Sequence, residues 1–126
     1  MSISLDIRDG LPFVSVILEA NHQTIVIEDV LIDTGSSDCI FRTDDLLSIG
    51  VIPVMSDQIL VMMGVGGDEQ VITKQIDSIT IGHLRLSPCL IQMGEVNYGY
   101  RLNGIIGFKF LQETGAIINA KRLTIE

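Results

Sequence analysis

The 126-residue sequence predicts an all-β fold, a barrel or sandwich with one or two short helices. Most of its segments either alternate apolar and polar residues or are short runs of β-branched residues, and glycines or polar turns separate them. Strands do not alternate with long helices. The apolar share of 47% and the charged share of 19% are typical of a globular protein. We expect one domain over residues 1–126, because domains commonly have roughly 100–200 residues.

The strand predictions follow from this alternation and from the turns that separate the segments. Ile3, Leu5 and Ile7 alternate with polar residues, which predicts a half-buried strand ahead of a turn at residues 8–12. Residues 13–20 and 24–32 are predicted to form a hairpin. Further strands are predicted at residues 58–63, 69–81, 84–92, 116–119 and 122–125.

Two segments are predicted to be helical. Residues 43–47 begin with Thr43 as the expected N-cap and place two aspartates in the first turn, where the helix dipole favours acids. Gly50 is the expected stop. Residues 108–114 form the second candidate, which ends at Gly115.

Charge and composition exclude several classes of function. The chain has 16 acidic and 8 basic residues, a net charge of −8, and its basic residues are scattered, so we do not expect it to bind nucleic acid. No apolar run approaches the roughly 20 residues that span a bilayer, and no basic leader is visible at the start, so we expect no membrane association. The cysteines Cys39 and Cys89 form no disulfide framework, which favours a cytoplasmic location.

The sequence offers no pattern typical of a metal or cofactor site. His22 and His83 are isolated, and neither His-Glu-x-x-His nor Cys-x-x-Cys occurs. We therefore expect a protein without metal and without cofactor.

The most informative segment is Val30-Leu31-Ile32-Asp33-Thr34-Gly35-Ser36. An apolar strand runs directly into Asp33, and the glycine two residues later lets the backbone turn sharply. The sequence therefore predicts a carboxylate at a strand end, backed by apolar residues. The structural alternative is an aspartate that closes an Asx-turn, which is a common role before Thr-Gly.

This segment resembles the active-site loop of aspartic proteases, in which two apolar residues precede Asp-Thr-Gly-Ser. Ile105-Ile106-Gly107 resembles the second motif of that family, and Gly107 follows Gly35 by 72 residues. Between them lies Met62-Met63-Gly64-Val65-Gly66-Gly67, at the place of the family's flap. The resemblance extends from about residue 11 to the end of the chain and is to the single-lobe, retropepsin-like members of bacterial type.

The resemblance implies a retropepsin-like closed β-barrel or sandwich lobe and the activity of an aspartic endopeptidase. It implies that Asp33 is the catalytic acid and that the Thr34 hydroxyl links two active-site loops. Gly35 would let its amide approach the carboxylate, and Ser36 completes the loop. Residues 62–67 would form a flap that closes over an extended peptide.

A single Asp-Thr-Gly implies two chains. Aspartic proteolysis uses two carboxylates around one water, and the pair shares a proton. Asp38, Asp44 and Asp45 do not lie in a matching motif. The second acid must then come from another copy, which predicts a homodimer acting on a peptide or protein substrate.

The sequence departs from the retroviral pattern after the second motif. Many retroviral members have Arg-Asp there, with the arginine bracing the active-site loop, whereas this chain has Phe108 and Lys109. A second hypothesis is therefore a catalytically weak or inactive retropepsin-like module for peptide binding or dimerisation. A third is an unrelated β-barrel in which Asp-Thr-Gly occurs by accident.

The net charge predicts how dimerisation depends on salt and pH. Each chain carries −8 and a dimer −16, so the two chains repel each other. Raising the ionic strength from about 0.1 M to about 1 M shortens the screening length from about 10 Å to about 3 Å and should tighten the dimer. Moderately lowering the pH should do the same. Sedimentation at constant protein concentration measures this, and weaker association at high salt would contradict it.

Overall fold

The protein is described by a computed structural model, for residues 1–64, 67–96 and 101–126. Its strands are Ile3–Ser4 (β1), Asp6–Arg8 (β2), Leu11–Ala20 (β3), Gln23–Ile32 (β4), Ile40–Arg42 (β5), Ile59–Gly64 (β6), Gly67–Ile76 (β7), Ser78–Ile81 (β8), Leu84–Leu86 (β9), Cys89–Gly94 (β10), Gly104–Ile106 (β11), Ile118–Asn119 (β12) and Thr124–Ile125 (β13). Its helices are Thr43–Leu47 (α1) and Phe108–Thr114 (α2). The predicted all-β class is confirmed.

Two sheets organise the described part of the chain. Ten strands form one sheet in the order β6-β7-β10-β5-β11-β4-β3-β8-β9, with β2 paired to β3. The terminal strands form a second sheet in the order β1-β13-β12. Most pairs are antiparallel, but β4 pairs with β11, and β5 with β10, in parallel. These two parallel pairs lie at the centre of the larger sheet.

The larger sheet contributes most of a hydrophobic core. Alternate residues of a strand face opposite sides, so Val14, Val16 and Leu18 of β3 point inward and are buried. Phe41 of β5 and Phe110 of α2 are almost fully buried in the same core. Helix α2 therefore packs onto the core through an aromatic side chain.

The predicted β3–β4 hairpin and the second helix are confirmed. Asn21 and His22 at the hairpin turn both have positive φ angles, +53° and +60°, which suits a tight turn between twisted strands. Helix α2 has the predicted bounds, and Gly115 ends it in the left-handed conformation with φ of +68°.

Several predicted strands are divided in the structure. The predicted strand at residues 69–81 breaks at Asp77, whose amide donates to the Glu19 carbonyl instead of continuing β7. The one at 84–92 breaks at Ser87-Pro88, where proline has no N–H to donate. The first breaks at Leu5, so that β1 and β2 join different sheets and Ile7 is 40% exposed.

The predicted cap of the first helix is wrong. Arg42, not Thr43, occupies the N-cap position, and no side chain caps the helix. The physical reason is that β5 leads directly into α1, so the extended residue at the end of the strand, with φ −68° and ψ 144°, is also the residue before the first turn. Thr43 is thereby the first helical residue.

Neither helix of the described residues has the length and apolarity that a bilayer crossing requires.

The core predicts a large cost for truncating Phe41. Its side chain is 0% exposed, so Phe41→Ala should lower the free energy of unfolding by about 3–5 kcal/mol through lost burial and a residual cavity. Met55 is fully exposed, and Met55→Ala should change the free energy of unfolding by less than about 0.5 kcal/mol. Urea unfolding at one protein concentration measures both, and equal effects would contradict this account of the core.

Candidate active site

Asp33 lies where β4 ends, beside the end of its parallel neighbour β11. Ile32 pairs with Ile106, and the Asp33 amide donates to the Ile106 carbonyl oxygen at 2.9 Å. Because the two strands run in parallel, their carboxyl ends meet at one edge of the sheet. Asp33 and Gly107, which follow these ends directly, are therefore brought together although they lie 74 positions apart in the sequence.

The loop after Asp33 holds one oxygen of its carboxylate. The Gly35 amide donates to Asp33 Oδ1 at 2.9 Å, and the Ser36 amide donates to the Asp33 carbonyl oxygen at 3.1 Å. The first bond is that of an Asx-turn, so Asp33 does close the turn that the structural alternative predicted. Asp33 itself is half-buried, while Thr34 and Gly35 are exposed. The carboxylate is thus both held in one orientation by the Gly35 amide and accessible to solvent.

Helix α2 fixes the other side of this loop through its backbone. The Phe108 amide donates to the Ser36 carbonyl oxygen at 2.7 Å, and the Lys109 amide donates to that of Ser37 at 3.1 Å. The sequence lacks the arginine brace of the retroviral pattern at these positions. Backbone hydrogen bonds from the same two residues hold the loop here.

Gly107 is required by a close approach of two backbone segments. A Cβ placed on Gly107 would lie 2.7 Å from the carbonyl carbon and 2.8 Å from the nitrogen of Asp38. Backbone atoms cannot swing aside as the end of a side chain can, so any larger residue would displace the loop. The second motif therefore supports the first by direct packing.

Both cysteines are buried behind this loop. Burial raises the pKa of the Cys39 thiol to about 12, although the Gly107 backbone acts in the opposite direction, and burial raises the pKa of Cys89 to about 11. The thiols are free and stay protonated at neutral pH. Cys39 lies just before β5, and its side chain is part of the core.

A second apolar cluster lies on the Asp33 side of the sheet. Leu31 and Ile105 are direct neighbours across β4 and β11, and Phe13 is the neighbour of Leu31 on β3. Alternate residues share a face, so Leu31 points to the same side as Asp33. The cluster was not recognised in the sequence; the spacing of two between Leu31 and Asp33 was the available signal. Its buried members are Phe13, Leu31, Ile40, Val96, Leu102 and Ile105.

The predicted flap is partly described. Strands β6 and β7 form a hairpin in which Met62 is opposite Glu69 and Gly64 is opposite Gly67. Met62 packs against the second apolar cluster. Val65 and Gly66 lie outside the described residues, as does the side chain of Met63. The hairpin thus reaches the apolar cluster next to Asp33 through Met62.

An ion pair fixes the base of this hairpin. Lys74 on β7 contacts both oxygens of Asp57, at 3.0 and 3.1 Å, and donates to the Ile52 carbonyl oxygen at 2.9 Å. The Val54 amide, and after it Lys74, lowers the pKa of Asp57. The loop before β6 is therefore tied to β7.

Within the described ranges, no three His, Cys, Asp or Glu side chains converge as metal ligands would.

The fold is similar to that of a solved protein of known class. The crystal structure of a retropepsin-like aspartic protease from Rickettsia conorii matches with a TM-score of 0.70 and 20% identity, over 99% of this chain and 89% of that chain. The fold is therefore retropepsin-like, as the resemblance of the motifs implied.

A family comparison gives the class of the chain itself. A sequence model described as aspartyl protease matches residues 16–110, which include β4, the Asp33 loop, the predicted flap at residues 62–67 and Gly107. No curated protein matches the chain. The chain belongs to the aspartyl protease family. The hypothesis of an unrelated β-barrel with an accidental Asp-Thr-Gly is thus wrong.

The close approach at Gly107 predicts a sensitive position. Gly107→Ala should lower the free energy of unfolding by about 1–3 kcal/mol, the usual cost of overpacking, because the backbone at Asp38 must move. Ser37→Ala is the matched control, since it changes an exposed side chain of the same loop. Urea unfolding compares the two variants. A Gly107→Ala protein as stable as the control would contradict this account of the second motif.

Proposed function

We propose that the protein is an aspartic endopeptidase in which two copies of the chain each contribute Asp33 to one catalytic dyad. The observation that carries the proposal is the geometry of that carboxylate. Its Oδ1 accepts the Gly35 amide at 2.9 Å, and the residue is half-buried at the edge where β4 and β11 end. A carboxylate held in this way keeps its second oxygen for a water or a substrate.

The other acids near the loop support a dyad made from two chains. Asp45 of α1 forms an ion pair at 3.1 Å with Arg42, the N-cap residue of that helix. Asp44 is exposed on the same helix. The Asp38 backbone packs against Gly107. None of the three follows a strand into a turn of the Asp33 type. A twofold axis beside Asp33 would supply the missing acid from an identical loop.

The proposed reaction is hydrolysis of a peptide bond by a water held between the two carboxylates. The ionised carboxylate takes a proton from the water, whose oxygen attacks the carbonyl carbon. The protonated carboxylate donates a hydrogen bond to the carbonyl oxygen, where negative charge develops. The carbon–nitrogen bond then breaks, and the amine nitrogen takes up the proton. The pair returns to its state with one shared proton.

The remaining loop residues have supporting roles in this proposal. Thr34 is exposed next to Asp33, so its hydroxyl is available to the loop of the second copy. The Gly35 amide orients the carboxylate. The Ser36 hydroxyl donates to the Asp38 carbonyl oxygen at 3.0 Å and helps to keep the loop closed on α2.

The proposed substrate is an extended peptide with apolar side chains near the cleaved bond. An extended peptide pairs readily with backbone groups of a β-hairpin, and the segment at residues 62–67 is our candidate for that flap. Met62 and Leu31 belong to the apolar surroundings of the site. Apolar peptide side chains would find matching surface there.

We further propose that residues 1–126 act as one domain, without metal or cofactor. The two free, buried cysteines support a reducing, cytoplasmic location.

Asp33→Asn tests the proposal directly. Asparagine keeps the size of the side chain but cannot exchange a proton, so cleavage of a mixed peptide library should fall by at least about 100-fold. Asp44→Asn, the same change on an exposed acid of α1, should leave cleavage within about twofold. Mass spectrometry of the library measures both.

The same experiment separates the enzyme from the alternative module. Cleavage by the native chain and by Asp44→Asn, with none by Asp33→Asn, supports the enzyme. Peptide binding by all three without cleavage supports a module for binding or dimerisation. Equal cleavage by Asp33→Asn and the native chain would overturn the role of Asp33.

A further inference from the structure

One aromatic side chain next to the active-site loop is not buried in the core of its own chain. Phe108, the first residue of α2, is 50% exposed, whereas Phe110 and Leu111 of the same helix are 1% and 6% exposed. The structure describes all of residues 33–38 and of α2, and among these residues Phe108 alone is a large hydrophobic residue that is exposed. Such a residue beside a functional loop suggests a contact that a single chain does not make.

The position of Phe108 relative to Asp33 is fixed by the backbone. Its amide donates to the Ser36 carbonyl oxygen at 2.7 Å, and the Ser36 amide donates to the Asp33 carbonyl oxygen at 3.1 Å. Two hydrogen bonds thus connect the start of α2 to the catalytic candidate. Phe108 cannot move away from the loop unless the first of these bonds breaks.

A groove lies between this ring and the loop. It has a volume of about 480 Å³, and Thr34, Gly35 and Ser36 line it together with Phe108 and Gln112. Its lining also includes Ser37, Asp38, Lys109 and Glu113. The groove is open to solvent in the single chain, and the aromatic ring is its largest apolar element.

We propose that Phe108 is an apolar anchor of the contact between two copies of the chain, where it packs against the active-site loop and α2 of the second copy. The proposal rests on the proposed dyad, because two carboxylates about 3 Å apart place the two loops face to face across the twofold axis. Phe108 lies beside its own loop, where it lines one open groove together with Thr34, Gly35 and Ser36, and so comes within that contact. By symmetry each chain supplies one anchor and one groove.

The chemistry of the position fits a contact between like-charged chains. Each copy carries −8, and the charged residues that line the groove are Asp38 and Glu113 against one Lys109. A charged anchor would add to the repulsion or depend on screening, whereas burial of an aromatic ring does not. Buried aromatic residues are frequent among those that dominate an interface.

The test is sedimentation of Phe108→Ser and Phe108→Leu, compared with the native chain. Phe108→Ser should weaken dimerisation by roughly thirtyfold or more, as for a residue that dominates an interface. Phe108→Leu should restore most of the association, because leucine keeps much of the apolar surface. Val26→Ser is the control, since Val26 is 60% exposed on β4 but lies roughly 20 Å along the strand from Asp33.

A second measurement separates an anchor from a loss of folding or of substrate binding. Activity of Phe108→Ser should fall at low enzyme concentration and recover toward the native value as enzyme concentration rises. A variant that had lost its fold would not recover, and circular dichroism checks this independently. A raised KM with unchanged association would assign Phe108 to substrate binding and overturn the proposal.

Carrying out the sedimentation in the Asp33→Asn background distinguishes the two proposals. If the native chain cleaves nothing but Phe108→Ser still weakens association, the proposed activity fails and the anchor stands. If association is the same in Phe108→Ser and Val26→Ser, or if the native chain stays monomeric at all concentrations, the anchor fails.

Discussion

The parallel pairing of β4 with β11 is the constraint on which the candidate site depends. It pairs Ile32 with Ile106 and thereby places Asp33 next to Gly107, although Asp33 and Gly107 are distant in the sequence. The amide of Asp33 closes the pairing by donating to Ile106. If this short ladder slipped by one residue, every side chain beyond it would face the opposite side of the sheet. The acid would then point into the core and away from any partner.

Several weak local features turn this pairing into a rigid site. The Gly35 amide orients one carboxylate oxygen, and the first amides of α2 hold the loop from behind. Gly107 allows α2 to approach the Asp38 backbone closely. Each of these contacts uses backbone atoms. The loop is therefore supported without the arginine of the retroviral pattern, and an exposed aromatic residue, Phe108, occupies that position.

The local parts of this arrangement could be predicted from the sequence, and the parts made by distant strands could not. The β3–β4 hairpin and α2 were predicted because alternation and glycine stops are local signals. Strand β11 has three residues, too few to show a period, and was missed. Thr43 was predicted as a cap because nothing local indicated that β5 would run into α1. The apolar cluster at Leu31 combines Phe13 of β3 and Ile40 of β5 with Val96, which follows β10, so only the pairing of the sheet brings them together.

The central claim is that one active centre needs an Asp33 from each of two chains. Native and Asp33→Asn chains can be mixed in varied proportions at fixed total concentration, allowed to exchange, and assayed on one peptide. If only pairs of native chains are active, an equal mixture retains about one quarter of the native activity, because random pairing makes activity follow the square of the native fraction. Retention of about one half, with activity linear in the native fraction, would mean that each chain works alone and would contradict the account.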